Sequence, residues 1–133
     1  MEYNKETLKI LIVDDNPIDL ELLEAILTKI GFRKILKSES GKEAIQLAEE
    51  HQPDLFLVDI MMPGMSGGDF RGHLKQNPVT RDTPVIFISG IISKEEEKEL
   101  GGRLASGDFI IAKPFTKDRI AEAIDTALKK APL

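Results

Sequence analysis

Residues 8–31 are LKILIVDDNPIDLELLEAILTKIG, and this stretch decides the fold class. It begins with a short run of aliphatic and β-branched residues, Leu8–Val13, as expected of a strand covered on both faces. Apolar residues then recur at helical spacing until Gly31, and glycine is common just after a helix end. The predicted apolar stripe of this helix comprises Ile18, Leu22, Ile26, Leu27 and Ile30. A strand followed directly by a helix is the repeating unit of a parallel α/β sheet.

The same alternation of strand and helix recurs along the chain. Its five apolar runs are Leu8–Val13, Phe32–Leu36, Leu55–Val58, Val85–Ile88 and Phe109–Ala112. Helix-start signals lie between the runs, at Asn16, Ser40, Ser66 and Ser93. The last helix has an apolar stripe made of Ile120, Ala123, Ile124, Ala127 and Leu128. The alternation predicts an α/β protein built on a parallel sheet.

Composition excludes several function classes. The chain of 133 residues has the size of one domain, and its 41% hydrophobic and 31% charged residues are typical of a globular protein. The net charge of −5 argues against direct nucleic-acid binding, which usually needs a basic patch. The absence of cysteine excludes disulfides, thiol chemistry and cysteine-ligated zinc. Without any stretch like a signal peptide or a membrane span, the sequence predicts no membrane association and a cytoplasmic location.

Polar residues stand at the ends of four of the five apolar runs. Asp14 and Asp15 follow the first run, Asp59 the third, Ser89 the fourth and Lys113 the fifth. Ligand sites of parallel α/β sheets form where the carboxyl ends of the strands meet, so we expect these side chains to converge. Clustered carboxylates repel one another unless a cation binds them, and all-oxygen ligands favour Mg2+. A metal, a lysine and a hydroxyl beside Asp59 would suit phosphoryl transfer to its carboxylate.

Each of these residues also has an ordinary structural alternative. The pair Asp14-Asp15 caps a helix as readily as it binds a metal, and a lone Asp59 before Met-Met-Pro-Gly is more often a turn former. Ser89 alone is uninformative, and a single lysine is usually exposed to solvent. The acidic run at residues 95–97 is interpreted as a solvated helix face. What favours a phosphoryl site is the joint occurrence at successive strand ends.

Four motifs together resemble the receiver domain of two-component response regulators. They are Asp14-Asp15-Asn16, Asp59 followed by MPGMSG at residues 62–67, Ser89, and Lys113-Pro114-Phe115. The resemblance covers about residues 8–130, and we expect the chain, 1–133, to be a single receiver domain without an output domain. It implies a flavodoxin-like (βα)5 three-layer sandwich with a parallel sheet in the order 2-1-3-4-5.

The resemblance also implies a role for each acidic residue. Asp15 and Asp59 would bind Mg2+ directly, and Mn2+ could substitute for it. The backbone carbonyl of Met61 would be a third ligand, with Asp14 acting largely through water. Asp59 would accept the phosphoryl group from a sensor histidine kinase or a histidine phosphotransfer protein.

Three further residues would hold the phosphoryl group. Lys113 would pair with one oxygen, Ser89 would donate a hydrogen bond to another, and the amide of Gly90 would help. The Lys113–Pro114 peptide is expected to be cis, as in the family. Phosphorylation would lead to binding of an unidentified protein through the face of the fourth helix, fifth strand and fifth helix. We expect no enzymatic activity beyond self-phosphorylation and self-dephosphorylation.

Two features are particular to this chain. The interval from Ser89 to Lys113 is slightly longer than the family usually shows, which predicts a small insertion before the fifth strand. The family's switch aromatic stands three residues before the lysine, where this chain has Ile110. Phe109, one residue earlier, would point to the opposite face unless a bulge restores the register. The resemblance also implies that the side chains at the positions of Met61 and Ile91 flank the path of the attacking water, and because both are apolar here, we expect slow self-dephosphorylation.

Two other function classes use related parts. A phosphatase or phosphotransferase acting on free substrates would also use a strand-end aspartate and magnesium, but it usually needs a cap or lid. A flavin carrier of the same fold needs a phosphate loop rich in Ser, Thr and Gly after the first strand. Residues 14–17, DDNP, would repel that phosphate. A receiver domain matches the motifs better than either.

Overall fold

The computed structural model describes residues 3–104 and 106–129. Strands and helices alternate through this part of the chain. The strands are β1 (Lys9–Val13), β2 (Lys34–Ser38), β3 (Leu55–Asp59), β4 (Val85–Ser89) and β5 (Phe109–Ala112). The helices are α1 (Pro17–Ile30), α2 (Gly41–His51), α3 (Gly67–Gln76), α4 (Lys94–Glu99) and α5 (Lys117–Lys129). The predicted domain limits, residues 1 and 133, and the predicted end of the receiver-like region, Lys130, lie outside the described residues.

The five strands form one parallel sheet in the order β2-β1-β3-β4-β5. This arrangement confirms the predicted flavodoxin-like fold. Every residue of β3 and β4 is buried, as expected of inner strands covered by helices on both faces. The second strand begins at Lys34 and not at Phe32 as predicted. Phe32 is only 1% exposed and packs into the core under α1, so its apolar character reflects packing next to the helix end.

Helices cover both faces of the sheet. Helices α1 and α5 pack against each other and bury one hydrophobic cluster, whereas α2 and α3 cover the other face. The predicted stripe of α5 is confirmed, since Ile120, Ala123, Ile124 and Ala127 are buried. None of the described helices has the length and apolar character needed to cross a membrane.

The predicted stripe of α1 is partly wrong. Ile18 and Leu22 are 74% and 48% exposed, and the side chains that face the sheet are those of Leu20, Leu23 and Leu27. Helix α1 carries apolar residues on more than one face, so two different stripes satisfy the helical period. Only packing against the sheet selects between them.

The four predicted helix starts are confirmed. The side chains of Asn16, Ser40, Ser66 and Ser93 each accept a hydrogen bond from a backbone N–H of the helix that follows. These caps place the start of each helix directly after the carboxyl end of a strand or its short loop.

Residues 101–104, which follow α4, fold back along the outer side of β5. Helix α4 has only 6 residues, and Gly101 and Gly102 follow it with φ of 66° and 72°, a region that favours glycine. The carbonyl of Gly102 accepts a 2.8 Å hydrogen bond from the N–H of Ile110, and Leu104 donates one of 2.8 Å to the carbonyl of Asp108. This local structure occupies the region where the sequence predicts an insertion.

Candidate functional site

The predicted acidic residues converge at the carboxyl edge of the sheet. Asp14 and Asp15 follow β1, and Asp59 is the last residue of β3. One carboxylate oxygen from each of the three residues lies within 4.8 Å of the others. Asp14 and Asp59 are only 6% and 8% exposed, whereas Asp15 is exposed. The site therefore has a buried floor and one acidic side chain open to solvent.

Lys113 reaches this cluster from the end of β5. Its Nζ lies 2.9 Å from Asp14 Oδ2 and 3.4 Å from Asp59 Oδ2. A further carboxylate, Asp19 in the first turn of α1, lies 2.9 Å from the same nitrogen. Sequence reasoning assigned no site role to Asp19. Its place near a helix start after the first strand is the only signal that could have suggested one.

Electrostatics at the site follow from burial and from this pairing. Burial raises the pKa of Asp59 above its ordinary value, and the charge of Asp14 adds to this effect. The N–H of Met61 and the ammonium of Lys113 oppose the rise in the pKa of Asp59 without cancelling it. Burial alone would lower the pKa of Lys113, but hydrogen bonds to Asp19 and Asp14 and the nearby charges raise it. Lys113 is therefore a permanent cation among carboxylates that repel one another.

The capping alternative for the acidic pair does not hold. Asn16 caps α1, because its Oδ1 accepts a 2.9 Å hydrogen bond from the N–H of Ile18. Asp14 Oδ1 instead accepts from the N–H of Asn16 at 3.0 Å, which fixes the carboxylate beside Lys113. The turn-former alternative for Asp59 is correct as a local description, since Asp59 Oδ1 accepts from the N–H of Met61 at 3.0 Å. That bond leaves Oδ2 facing Lys113.

Ser89 and Gly90 lie next to Lys113 at the ends of neighbouring strands. The carbonyl of Ser89 accepts a 2.7 Å hydrogen bond from the N–H of Lys113. The Ser89 side chain is buried, and its Oγ accepts from the N–H of Ile91 at 3.0 Å. Gly90 is exposed, and a Cβ added there would meet only Lys113 Cδ, at 3.9 Å. The Lys113–Pro114 peptide is cis, as expected.

The donor set fits a divalent metal. Carboxylate oxygens are hard ligands of the kind that Mg2+ prefers, and the N–H contact from Met61 places that residue's backbone against the cluster. The raised pKa of Asp59 means that its ionised carboxylate is disfavoured in the metal-free site. A bound cation would stabilise the ionised form and remove this penalty. The cluster can therefore bind a metal ion next to a lysine and a serine hydroxyl, which is the equipment for handling a phosphoryl group.

The structure shows which face of the sheet Phe109 and Ile110 point to. Strand β5 pairs with β4 in continuous register, with Phe87 opposite Ile110, so no bulge shifts Phe109 onto the other face. Ile110 is 1% exposed and packs in the cluster under α2 and α3. Phe109 packs towards α5, and the Arg103 guanidinium lies 4.4 Å from the centre of its ring. The position three residues before Lys113, where the resemblance predicts an aromatic residue, is thus filled by the buried aliphatic Ile110.

These features define a class of protein, a doubly wound α/β domain with an acidic phosphoryl-handling site at the carboxyl edge of its sheet. The family model for the response regulator receiver domain matches residues 10–125, and the chain belongs to this family. It is accordingly a receiver domain of two-component signalling, which implies a phosphoacceptor role.

Similar proteins agree with this assignment. The chain is 34% identical over 125 residues to the polar-differentiation response regulator DivK of Brucella ovis, an alignment that covers 94% of this chain and 99% of the relative. It is also 34% identical over 120 residues to protein PilH of Pseudomonas aeruginosa, with 90% and 97% covered. Among solved structures, a response regulator from Desulfuromonas acetoxidans superposes with a TM-score of 0.77 at 33% identity, covering 92% and 97%.

Proposed function

We propose that this domain accepts one phosphoryl group on Asp59 from a histidine kinase or a histidine phosphotransfer protein, in a reaction that needs Mg2+. The observation that carries the proposal is the position of Lys113, whose Nζ lies among the buried carboxylates of Asp14 and Asp59. An ammonium at this place offsets their repulsion and can later pair with phosphoryl oxygen. The phosphorylated domain would then signal by binding a partner protein.

The acidic residues would hold the metal. Asp15, Asp59 and the backbone carbonyl of Met61 would bind Mg2+ directly, or Mn2+ in its place, and Asp14 would act largely through water. This proposal is supported by the exposure of Asp15 and by the existing hydrogen bonds of Asp14 to Lys113 and Asn16. When bound, the metal would supply charge neutralisation at the phosphoryl oxygens.

The transfer itself would be an in-line displacement at phosphorus. An Asp59 carboxylate oxygen forms the new O–P bond while the N–P bond of the donor's phosphohistidine breaks and the imidazole leaves. Lys113 would bind one phosphoryl oxygen, the Ser89 hydroxyl would donate to another, and the amide of Gly90 would donate to the group as well. Gly90 suits this role because it brings no side chain to the site.

A protein donor is favoured by apolar side chains around the site entrance. Ile18 at the start of α1 is 74% exposed, Met61 after β3 is 58% exposed and Ile91 after β4 is 67% exposed. All three lie at the same edge of the sheet as Asp59. A protein that brings a phosphohistidine to Asp59 could bury this apolar rim, which a small phosphodonor would leave in water.

We place the reaction in the cytoplasm, with no turnover of a free substrate, no direct contact to nucleic acid and no membrane association.

The test is phosphorylation by acetyl phosphate with Mg2+, followed by intact mass measurement. Wild type should gain the mass of one phosphoryl group, the adduct should be labile in base, and Asp59→Asn should gain none. Asp82→Asn, which removes an exposed carboxylate near the amino end of β4, is the matched control and should behave as wild type. An equal adduct on Asp59→Asn would overturn the assignment.

A further inference from the structure

We propose that Asp19 is a positioning residue that holds the Lys113 ammonium in the unphosphorylated domain and is exchanged for a phosphoryl oxygen when Asp59 is phosphorylated. The inference rests on the proposed function of Asp59. It adds a carboxylate from helix α1 to a site otherwise built from strand ends and their loops.

The geometry shows that Lys113 is fully engaged. Its Nζ makes contacts of 2.9 Å to Asp14, 2.9 Å to Asp19 and 3.4 Å to Asp59. An ammonium has three N–H donors, so each donor can be directed at one of these three carboxylates. A phosphoryl oxygen must therefore compete with these carboxylates for Lys113.

The burial of the carboxylates indicates which contact is given up. Asp14 has a side chain only 9% exposed and is also held by the N–H of Asn16. Releasing Lys113 would leave Asp14 as a buried charge without its cation, which is costly. The Asp19 side chain is 28% exposed, so water can replace the ammonium. Asp59 is the group that becomes phosphorylated.

The position of Asp19 in α1 leaves its carboxylate available for this role. The cap of α1 is Asn16, which accepts from the N–H of Ile18, so Asp19 is not needed to cap the helix. A negative charge in the first turn is also stabilised by the helix dipole, which lowers the cost of parting Asp19 from the lysine. Asp19 therefore acts as a counter-ion that competes with the phosphoryl group for Lys113.

The consequence is a defined change in affinity. Asp19→Asn keeps the side-chain size but removes the charge, so Lys113 should move more readily to a phosphoryl mimic. We expect beryllofluoride with Mg2+ to bind about two- to fivefold more tightly, the range for one partly exposed ion pair. Asp19→Glu keeps a carboxylate within reach of the ammonium and should restore affinity towards the wild-type value.

The experiment must separate the effect on Lys113 from a general loss of negative charge. Beryllofluoride affinity is measured for wild type, Asp19→Asn, Lys113→Ala and the double variant, with Glu21→Gln as a charge-matched control at an exposed position of α1. If Asp19 acts through Lys113, the gain from Asp19→Asn disappears in the Lys113→Ala background. Glu21→Gln should change affinity by less than about twofold.

A second readout does not depend on phosphorylation. The Lys113 ammonium resonance in lysine-labelled, metal-free protein should be observable in wild type and should broaden through water exchange in Asp19→Asn. An unchanged or weaker beryllofluoride affinity in Asp19→Asn, or an equal gain without Lys113, would overturn the inference. Failure of wild type to bind beryllofluoride or accept phosphate would instead refute the proposed function. The ammonium resonance would still report on the contact between Asp19 and Lys113.

Discussion

The Glu97 carboxylate accepts a 2.7 Å hydrogen bond from the backbone N–H of Ala112, the residue immediately before Lys113. Its other oxygen accepts from Arg119 Nε at 2.7 Å, and the Glu97 side chain is only 14% exposed. One side chain of α4 thus joins the end of β5 to α5. The interpretation of residues 95–97 as a solvated face is therefore wrong for Glu97.

We predict that Glu97→Ala destabilises the domain. The change removes the acceptor from the N–H of Ala112 and the partner from Arg119, so it should lower the free energy of unfolding by about 1–3 kcal/mol. Urea unfolding followed by circular dichroism measures the loss. Glu95→Ala, at an exposed position of the same helix, should cost less than about 0.5 kcal/mol. Equal losses would mean that the Glu97 contacts add nothing.

Phosphorylation should alter the face formed by α4, β5 and α5. Ser89 and Lys113 would both be drawn towards the phosphoryl group, and Lys113 adjoins the residue bound by Glu97. Beryllofluoride with Mg2+ should shift amide resonances between about residues 89 and 116. Shifts restricted to the surroundings of Asp59 would show that the domain does not transmit its state to this face. Glu97→Ala should reduce the shifts in α4 relative to those in β5.

The two aspartates after β1 should differ as metal ligands. Asp15→Ala should weaken Mg2+ binding by at least about tenfold, because a direct anionic ligand is lost from a site with few protein ligands. Asp14→Ala should cost less, since Asp14 is already engaged by Lys113 and Asn16. Titration of Mg2+ monitored by NMR gives the ranking. The proposed division into direct and water-mediated roles would not survive equal losses.

Neutralising Asp59 should stabilise the metal-free domain at neutral pH. Burial raises the pKa of Asp59, so protonation favours the folded state. This contribution is complete below the ordinary pKa of an aspartate and is lost as the pH rises through the folded value. At about pH 7 Asp59→Asn should therefore raise Tm by a few degrees, and the gain should vanish near pH 3.

Thermal unfolding across this pH range, with Asp82→Asn as the control, tests the prediction for Asp59. Adding Mg2+ should narrow the difference at neutral pH, because the metal offsets the repulsion in wild type. A Tm for Asp59→Asn at or below that of wild type at neutral pH would contradict the argument.

Self-dephosphorylation should be slow and should depend on Met61. Met61 and Ile91 are large, apolar and exposed beside the site, and neither can orient water by a hydrogen bond. Met61→Asn should speed decay of the phosphorylated domain by about two- to tenfold after the donor is removed. Val79→Asn, at an exposed apolar position between α3 and the amino end of β4, is the control. Unchanged or slower decay in Met61→Asn would contradict the prediction that Met61 hinders the attack of water on the phosphoryl group.

The strand-end residues were predictable because topology alone places them. Carboxyl ends of parallel strands share one edge, so Asp14, Asp59, Ser89 and Lys113 had to meet once the strands were recognised. The position of Asp15 at the same edge was predictable because Asp15 directly follows Asp14 in the sequence. Local capping chemistry likewise predicted the helix starts, since it depends on a few consecutive residues.

The contacts made by helix side chains could not be predicted. Whether Asp19 reaches Lys113, or Glu97 reaches Ala112, depends on how each helix is rotated against the sheet. The same uncertainty produced the error in α1, where Ile18 and Leu22 were assigned to the core and Leu20 and Leu23 are buried instead. The spacing of apolar residues shows which face of a helix is buried only when a single face of that helix is apolar.

The backbone that returns along β5 closes one side of the sheet to other chains. The outward N–H of Ile110 is taken by the carbonyl of Gly102, that of Ala112 by Glu97, and the carbonyl of Asp108 by Leu104. A foreign strand would find no free ladder of donors and acceptors there, so β-augmentation and edge-to-edge aggregation are blocked at this border. Recognition at this side of the molecule must therefore be carried by side chains of α4, of α5 and of residues 101–104, which follow α4. Its specificity can diverge between relatives without any change in the sheet.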